Sequence, residues 1–190
     1  MDKIKALGFS IVRREDTASI EAEAYGVKPS EIRLNRVAIG SDHTGFYIKG
    51  VLSKMLMEKS YGVIDVGTYD ETSCDYPDFA LSVAQNVMEK KADFGVLIDA
   101  TGIPSAIVAN KLPGIRAATC YNELSARSAR EHNNANIIAV GARALGEEAI
   151  KSILEAFILA AFSGGRHQRR LDKISAIEEK FMKMELKSKT

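Results

Sequence analysis

Five short apolar runs alternate with amphipathic segments from Arg36 onward. The runs are "RVAIGSD", "GVIDVG", "DFGVLI", "GIRAATC" and "ANIIAVGA". Between them, apolar side chains recur at the spacing of one helix face; the first such stripe is formed by Ile48, Val51, Leu52, Met55 and Leu56. Strands that alternate with helices predict a parallel sheet, and strands that are apolar throughout fit a sheet covered on both faces. The pattern therefore predicts an α/β fold with a doubly wound, Rossmann-like sheet of five parallel strands.

The first 34 residues do not show this alternation of apolar runs and amphipathic segments. Asp16 could cap a short helix that Gly26 ends, and we expect residues 1–34 to form an N-terminal arm that packs against the domain or contacts another subunit. Residues 35–190 are predicted to be the α/β domain. A charged amphipathic helix that begins near Gln168 is expected to close it.

The composition narrows the possible partners. Lys and Arg number 26 and Asp and Glu 25 among 190 residues, which gives a formal net charge of +1. A chain so balanced offers no electrostatic reason to expect binding of nucleic acid or of an anionic membrane. No apolar stretch approaches the length of a membrane span, and the N-terminus does not resemble a signal peptide. Cys74 and Cys120 form no metal-ligand pattern, so we expect reduced thiols in a cytoplasmic protein without a metal site.

Polar residues gather where the predicted strands end. In a doubly wound sheet, ligands bind at the carboxyl ends of the strands. This rule selects Asp42 and His43 after the first strand, Tyr76 after the second, Asp99, Thr101 and Gly102 after the third, and Arg143 after the fifth. A carboxylate at the tip of a buried strand is costly unless something satisfies or uses it. The role of Asp99 therefore needs an explanation.

Two histidines have both a structural and a functional interpretation. Asp42 and the residues after it could simply cap a helix, but His43 could also donate to a phosphate or hydroxyl at that helix N-terminus. His132 and Asn133 come at the end of a predicted helix. A histidine there can interact favourably with the helix dipole without any further role, or it can belong to a site.

The stretch "GGRHQRR" places three arginines and a histidine within five residues. Arg166 and Arg170 are four apart, so on a helix they share one face. One interpretation is a solvated basic start of a helix. However, positive charge at a helix N-terminus opposes the dipole, which is easier to understand if an anion binds there. Paired arginines suit phosphate because the guanidinium forms forked hydrogen bonds.

Six stretches occur together in an order and spacing typical of one family. They are "AIGSDHTGFYIK", "DVGTYDETSCDYPDFA", "ANKLPGIRAA", "SAREHNNAN", "VGARALG" and "GGRHQRRLDKI". From about Arg36 to Glu178 the chain resembles the sugar-phosphate isomerase family of ribose-5-phosphate isomerase B and the galactose-6-phosphate isomerase A and B subunits. The resemblance implies a doubly wound α/β domain and a homodimer or homotetramer with shared active sites. It also implies aldose–ketose isomerisation of a phosphorylated sugar through a cis-enediolate, without a cofactor.

The resemblance also implies residue roles. Positions that match the family's functional motifs are Asp42 and His43 for the sugar ring and phosphate end, Tyr76 for the pocket wall, His132 for ring opening, Asn133 for substrate hydroxyls, and Arg143, Arg166 and Arg170 for the phosphate. Some of the arginines would reach in from a neighbouring subunit. Thr101 would move the proton between the oxygens of C1 and C2, and Gly102 and Ser105 belong to the same substrate loop.

The end of the third strand departs from the family. The family's base is a cysteine in the loop Cys-Gly-Thr-Gly-x-Gly, and here Asp99 stands at that position. A glutamate that serves some members instead would fall at Ser105, so it is absent too. Pro104 has no N–H to offer an enediolate oxygen. The segment "IDATG" instead resembles the galactose-6-phosphate isomerase A subunit, which works with a cysteine-bearing B subunit.

Three hypotheses follow. In the first, the chain is an aldose–ketose isomerase with Asp99 as base, Thr101 as proton shuttle and His132 as ring opener. In the second, it is a non-catalytic or half-site subunit that needs a cysteine-bearing paralogous partner. In the third, it binds a sugar phosphate and performs no chemistry.

Overall fold

The computed structural model describes residues 35–188. Its strands are β1 (Arg36–Ser41), β2 (Gly62–Asp65), β3 (Phe94–Asp99), β4 (Ala117–Thr119) and β5 (Ile137–Gly141). Its helices are α1 (Phe46–Glu58), α2 (Tyr76–Met88), α3 (Ile103–Ala109), α4 (Glu123–Asn133), α5 (Glu147–Leu159) and α6 (Arg166–Ser188). The five strands form one parallel sheet in the order β2-β1-β3-β5-β4, which confirms the predicted fold class. The arm predicted for residues 1–34 lies outside the described residues.

Apolar side chains cover both faces of the sheet. On β3, Val96 and Ile98 pack into one buried cluster with α1, α4 and α5, while Leu97 packs into a second cluster with α2 and α3. Because successive strand residues point to opposite faces, a sheet covered on both sides needs an apolar residue at every position. The continuous apolar runs in the sequence are the direct consequence.

The strand order reverses between β1 and β3. Strand β1 pairs with β2 on one side and with β3 on the other. The carboxyl ends of β1 and β3 are therefore the topological switch point of the sheet. Ser41 is in register with Ile98, and the N–H of Asp42 donates to the carbonyl of Ile98 at 3.2 Å. Asp42 and Asp99 therefore end neighbouring strands at the place where such sheets bind ligands.

The C-terminal helix begins slightly earlier than expected. It starts at Arg166 rather than near Gln168, so Arg166 and His167 belong to its first turn. Among the described residues, no helix is both long and apolar enough to cross a membrane.

Candidate active site

The Asp99 carboxylate organises the turn from β3 into α3. Its Oδ1 accepts hydrogen bonds from the backbone N–H groups of Thr101 (2.8 Å) and Gly102 (2.6 Å), and its Oδ2 accepts one from the N–H of Ser105 (3.1 Å). Hydrogen bonds to a charged group contribute about 1.5–3 kcal/mol each, so three of them offset much of the cost of burying the carboxylate. Asp99 is only 1% exposed. Its first role is thus to hold this loop in place.

The same arrangement occurs at the end of β1. Asp42-His43-Thr44-Gly45 and Asp99-Ala100-Thr101-Gly102 share the pattern Asp-x-Thr-Gly. Oδ1 of Asp42 accepts from the N–H groups of Thr44 (2.9 Å) and Gly45 (3.3 Å), and from the Thr44 hydroxyl (2.6 Å). The two central strands therefore end in matching turns, side by side at the switch point.

The loop after Asp99 is packed tightly against the end of β5. Gly102 has a φ of +79°, and a Cβ there would lie 2.9 Å from the carbonyl carbon of Val140, so only glycine fits. The Thr119 hydroxyl donates to the carbonyl of Gly102 (2.9 Å), and the Tyr121 hydroxyl donates to that of Thr101 (3.0 Å). These contacts fix the peptide planes of the loop, and neither Thr119 nor Tyr121 was singled out from the sequence.

His43 faces the loop that follows β2. The backbone N–H of Cys74 points at Nδ1 of His43 at 3.3 Å, and the Cys74 thiol lies 4.0 Å from the same nitrogen. Because a backbone N–H can only donate, Nδ1 acts as acceptor, and a neutral His43 carries its proton on Nε2. That leaves Nε2–H as a donor for a ligand. Tyr76, half-buried, begins α2 directly after this loop.

Arg143 lies beside the Asp99 loop. Its backbone N–H donates to the carbonyl of Ala100 (3.0 Å), and its side chain is exposed just beyond the end of β5. The positions after the first, second, third and fifth strands are thus brought to one edge of the sheet, as the sequence predicted. We call this group the carboxyl-edge cluster; its members are Asp42, His43, Tyr76, Asp99, Thr101, Gly102, Ser105 and Arg143.

His132 and Asn133 lie at the opposite edge. They end α4, just before β5, and the carbonyl of Asn136 accepts from the N–H of Gly95 at the start of β3 (2.9 Å). The Asn133 amide donates to the carbonyl of Ser128 (3.3 Å), and Nδ1 of His132 lies 3.1 Å from the Ser128 hydroxyl. Both side chains are exposed.

The start of α6 joins His132 at this edge. The rings of His132 and His167 stack with their centroids 4.4 Å apart and their planes 8° from parallel. Nε of Arg166 donates to Nε2 of His167 at 3.4 Å, and Arg170 lies one helical turn further along. We call His132, Asn133, Arg166, His167 and Arg170 the amino-edge cluster. His167 was quoted in the basic stretch of the sequence but was not selected as a site residue.

One chain does not bring the two clusters together. A strand rises about 3.3 Å per residue, so the six residues of β3 separate the two edges by roughly 15 Å. That is longer than an extended pentose phosphate. A substrate that used both clusters would need the amino edge of a second copy at the carboxyl edge of the first.

The described residues offer no constellation for a metal. Among residues 35–181, no three His, Cys, Asp or Glu side chains lie close enough to hold an ion. The two edges carry carboxylates, imidazoles, hydroxyls, an amide and guanidinium groups.

The two cysteines are expected to differ sharply in reactivity. Burial raises the pKa of the Cys120 thiol to about 11, and the side chain is 1% exposed, so little thiolate forms at pH 8. Cys74 is partly exposed beside His43. Iodoacetamide at pH 8 should therefore add one adduct per native chain, at Cys74, as read by peptide mass spectrometry. Labelling of Cys120 in the folded protein would contradict the packing described, and Cys74→Ser should abolish the adduct.

Comparisons with known proteins identify the family. The model of the family described as Ribose/Galactose Isomerase matches residues 37–174. Ribose-5-phosphate isomerase B of Escherichia coli is 42% identical over 147 residues, which cover 77% of this chain and 99% of that protein. Galactose-6-phosphate isomerase subunit LacA of Streptococcus equi subsp. zooepidemicus is 40% identical over 139 residues, covering 73% of this chain and 96% of that one. The chain belongs to the ribose/galactose isomerase family of sugar-phosphate isomerases.

Solved structures agree with this assignment. The ribose-5-phosphate isomerase B of Clostridium thermocellum is 46% identical and superposes with a TM-score of 0.76, covering 77% of this chain and 99% of that one. The enzyme of Mycoplasma genitalium, whose structure contains bound ribulose 5-phosphate, is 39% identical with a TM-score of 0.75 and the same coverage. The family resemblance and the α/β fold expected from the sequence are thereby confirmed.

Proposed function

We propose that this chain is an aldose–ketose isomerase for a phosphorylated sugar, with each active site assembled from two copies of the chain. The observation that carries the proposal is the division of the expected site residues between two edges of one sheet. Asp99 and His43 lie at the switch point, while His132, Arg166 and Arg170 lie at the other edge. An isologous dimer that pairs unlike edges would create two equivalent sites, because a two-fold axis repeats each contact.

The residues of such a site divide the reaction into three tasks. Arg143, Arg166 and Arg170 hold the phosphate, for which forked guanidinium hydrogen bonds are suited. His132 exchanges a proton with the ring oxygen and the anomeric hydroxyl, which opens the furanose to the free aldehyde. A base then takes the proton from C2, and the electron pair moves to the C1 carbonyl to form the cis-enediolate. Returning a proton to C1, while the Thr101 hydroxyl moves a proton between O1 and O2, gives the ketose.

Asp99 occupies the position of the base, but the present loop conformation covers it. A carboxylate that is 1% exposed cannot touch a substrate carbon. Its hydrogen bonds also occupy the N–H groups of Thr101, Gly102 and Ser105, which are then not free for an enediolate oxygen. Asp99 acts as the base only if the loop between β3 and α3 shifts on substrate binding. Its Oδ2, with a single donor, keeps a lone pair for the proton.

The same observation supports a second candidate function. If the Asp99 loop stays closed, the chain is a half-site subunit that supplies its amino-edge cluster to a paralogous chain with the family's cysteine. Pro104, which removes one N–H at the start of α3, favours this candidate. So does the 40% identity to LacA, a relative whose name describes it as a subunit.

Proton exchange with solvent separates these possibilities. Ribose 5-phosphate and galactose 6-phosphate, the sugars named for the two kinds of relative, are incubated in D₂O with the pure chain, and deuterium at C2 is measured by NMR. Exchange by the chain alone supports the first function. Exchange only after a cysteine-bearing paralogue is added supports the second. Binding of either sugar phosphate without exchange under both conditions would leave a binding protein, and would reject the isomerase proposal.

The proposal also covers the oligomeric state of the protein, its ligand and its location in the cell. The protein would act as a homodimer or homotetramer on a phosphorylated sugar, without a cofactor. The two free cysteines fit the reducing cytoplasm.

A further inference from the structure

His167 is buried against the ring that the proposed reaction depends on. It is 9% exposed, whereas His132 and Asn133 at the end of α4 are exposed. The Ser128 hydroxyl lies 3.1 Å from Nδ1 of His132 and fixes one edge of the ring. The stack with His167 at 4.4 Å fixes its plane. Rotation of the imidazole about its bond to Cβ would break that stack.

Arg166 determines which nitrogen of His167 carries a proton. A guanidinium can only donate, so Nε2 of His167 must be unprotonated to accept its hydrogen bond at 3.4 Å. The neutral ring then carries its proton on Nδ1. Arg166 thereby fixes the His167 ring through a hydrogen bond, and the His167 ring in turn fixes the His132 ring through the stack.

The electrostatic surroundings keep His167 neutral at pH 7. Burial lowers the pKa of His167, and the neighbouring His132 from α4 and Arg166 and Arg170 from α6 lower it further. A neutral ring can stack on His132 in either protonation state without repelling it. A protonated His167 would add a further positive charge against the His132 ring, beside those of Arg166 and Arg170.

We propose that His167 is a positioning residue: by stacking on His132 it sets the orientation in which that imidazole opens the sugar ring. The inference rests on the proposed function and assigns the histidine of the basic stretch a role separate from phosphate binding. The arginines on either side of it bind the anion, and His167 connects their helix to the acid–base group. The first turn of α6 therefore carries both the groups that bind the phosphate and the ring that orients His132 for ring opening.

The test compares a cyclic with an open-chain substrate. Ribose 5-phosphate is mainly a furanose and must be opened, whereas ribulose 5-phosphate cannot close to a furanose because its C5 oxygen carries the phosphate. His167→Asn removes the stack, and should lower kcat for ribose 5-phosphate by about 10- to 100-fold, the scale expected for a misplaced catalytic group. Solvent exchange at C1 of ribulose 5-phosphate needs no ring opening and should change by less than about threefold on the same reasoning.

Two further variants separate orientation from general damage. His167→Phe keeps an aromatic ring to stack on His132 and should retain most of the activity on ribose 5-phosphate. Arg169→Gln removes an exposed charge from the same helical turn and serves as the matched control, with no change in either rate. Equal losses for both substrates in His167→Asn would overturn the positioning role, and so would a His167→Phe variant as slow as His167→Asn.

A spectroscopic readout that needs no turnover keeps this inference distinct from the proposed function. The chain has three histidines, so the imidazole protons are resolvable by NMR. Ring currents from the stacked His167 shield the His132 protons, and their resonances should move downfield in His167→Asn but not in Arg169→Gln. If the His132 resonances move downfield in His167→Asn but the rate on ribose 5-phosphate does not change, the inference is overturned while the isomerase function stands. A wild-type chain that turns over neither sugar overturns the function itself.

The depressed pKa also sets the direction of a pH effect. Protonation of His167 is disfavoured in the folded state, so its contribution to stability is full above about pH 6.5, the usual histidine pKa, and is lost as the pH falls through its lower folded value. The free energy of unfolding of the wild type should therefore decrease relative to that of His167→Asn on acidification below about pH 6.5, as measured by denaturant titration at several pH values.

Discussion

Replacing Asp99 by asparagine is expected to lower the rate of C2 proton exchange by about 10²- to 10⁴-fold, the usual contribution of a general base. Asparagine has nearly the same shape as aspartate, but its amide cannot accept the proton from C2. The rate is measured as deuterium incorporation into ribose 5-phosphate or galactose 6-phosphate, whichever the wild-type chain exchanges. A variant that keeps its full rate would show that Asp99 only holds the loop.

This experiment must distinguish the role of Asp99 in holding the loop from its role as a base. In Asp99→Asn, one amide oxygen can still accept from the N–H groups of Thr101 and Gly102, but the NH₂ group then faces the N–H of Ser105. Leaving such a buried donor unpaired costs about 1–3 kcal/mol of stability, which a melting curve will show. Asp99→Cys damages the same hydrogen bonds but restores the family's base, so it should exchange faster than Asp99→Asn. Asp93→Asn is the matched control, since Asp93 also accepts from a backbone N–H, that of Arg36 at 2.8 Å.

Replacing His132 by asparagine should produce the second large effect. Turnover of ribose 5-phosphate is expected to fall by about 10²-fold or more, because His132 is the exposed imidazole of the amino-edge cluster, whereas the His167 ring is buried. Exchange at C1 of ribulose 5-phosphate should persist, since an open chain needs no ring opening. A variant equally impaired on both substrates would place His132 in the proton transfer between C1 and C2 instead.

The fold followed from the sequence because burial on two sides leaves a strong pattern. The β3 residues from Phe94 to Ile98 are all apolar, as a strand buried on both faces requires. Apart from Ser105, which the family resemblance added, the carboxyl-edge cluster followed from the strand-end rule, which needs only the order of elements. The backbone hydrogen bonds to the buried Asp99 carboxylate could also have been predicted from the sequence. The pattern Asp-x-Thr-Gly occurs twice, and its first copy resembles a helix cap.

The division of the site between two edges was implicit in the same order of elements. In a parallel sheet, a helix that follows one strand returns to the starting edge before the next strand begins. His132 ends α4 immediately before β5, so it had to lie at the amino edge, away from Asp99. The family resemblance implied shared active sites with arginines from a neighbouring subunit, but it did not show that His132 and Asn133 also lie at the edge away from Asp99.

The contact between His132 and His167 could not be predicted. It joins the end of α4 to the start of α6, 35 positions apart, and depends on how the segment after α5 turns back. Neither periodicity nor capping residues determine such a path, because it is fixed by tertiary packing. The tautomer of His43 is a similar case, since it depends on the backbone of Cys74 in a distant loop.

The central claim is that each active site combines the carboxyl edge of one copy with the amino edge of another. Asp99→Asn and His132→Asn, each nearly inactive on ribose 5-phosphate alone, are co-expressed in equal amounts or refolded together. Half of the resulting pairs are mixed, and in each mixed pair one site carries both substitutions and the other carries neither. The mixture should therefore recover about a quarter of the wild-type rate.

The matched control for this mixture combines two lesions at the same edge. Asp99→Asn mixed with His43→Asn leaves no site intact and should recover nothing. Recovery of about a quarter of the wild-type rate by the Asp99→Asn and His132→Asn mixture, with none in the control, is the result that this account requires. No recovery in either mixture, from chains shown to have exchanged subunits, would place the complete site within a single chain and contradict it.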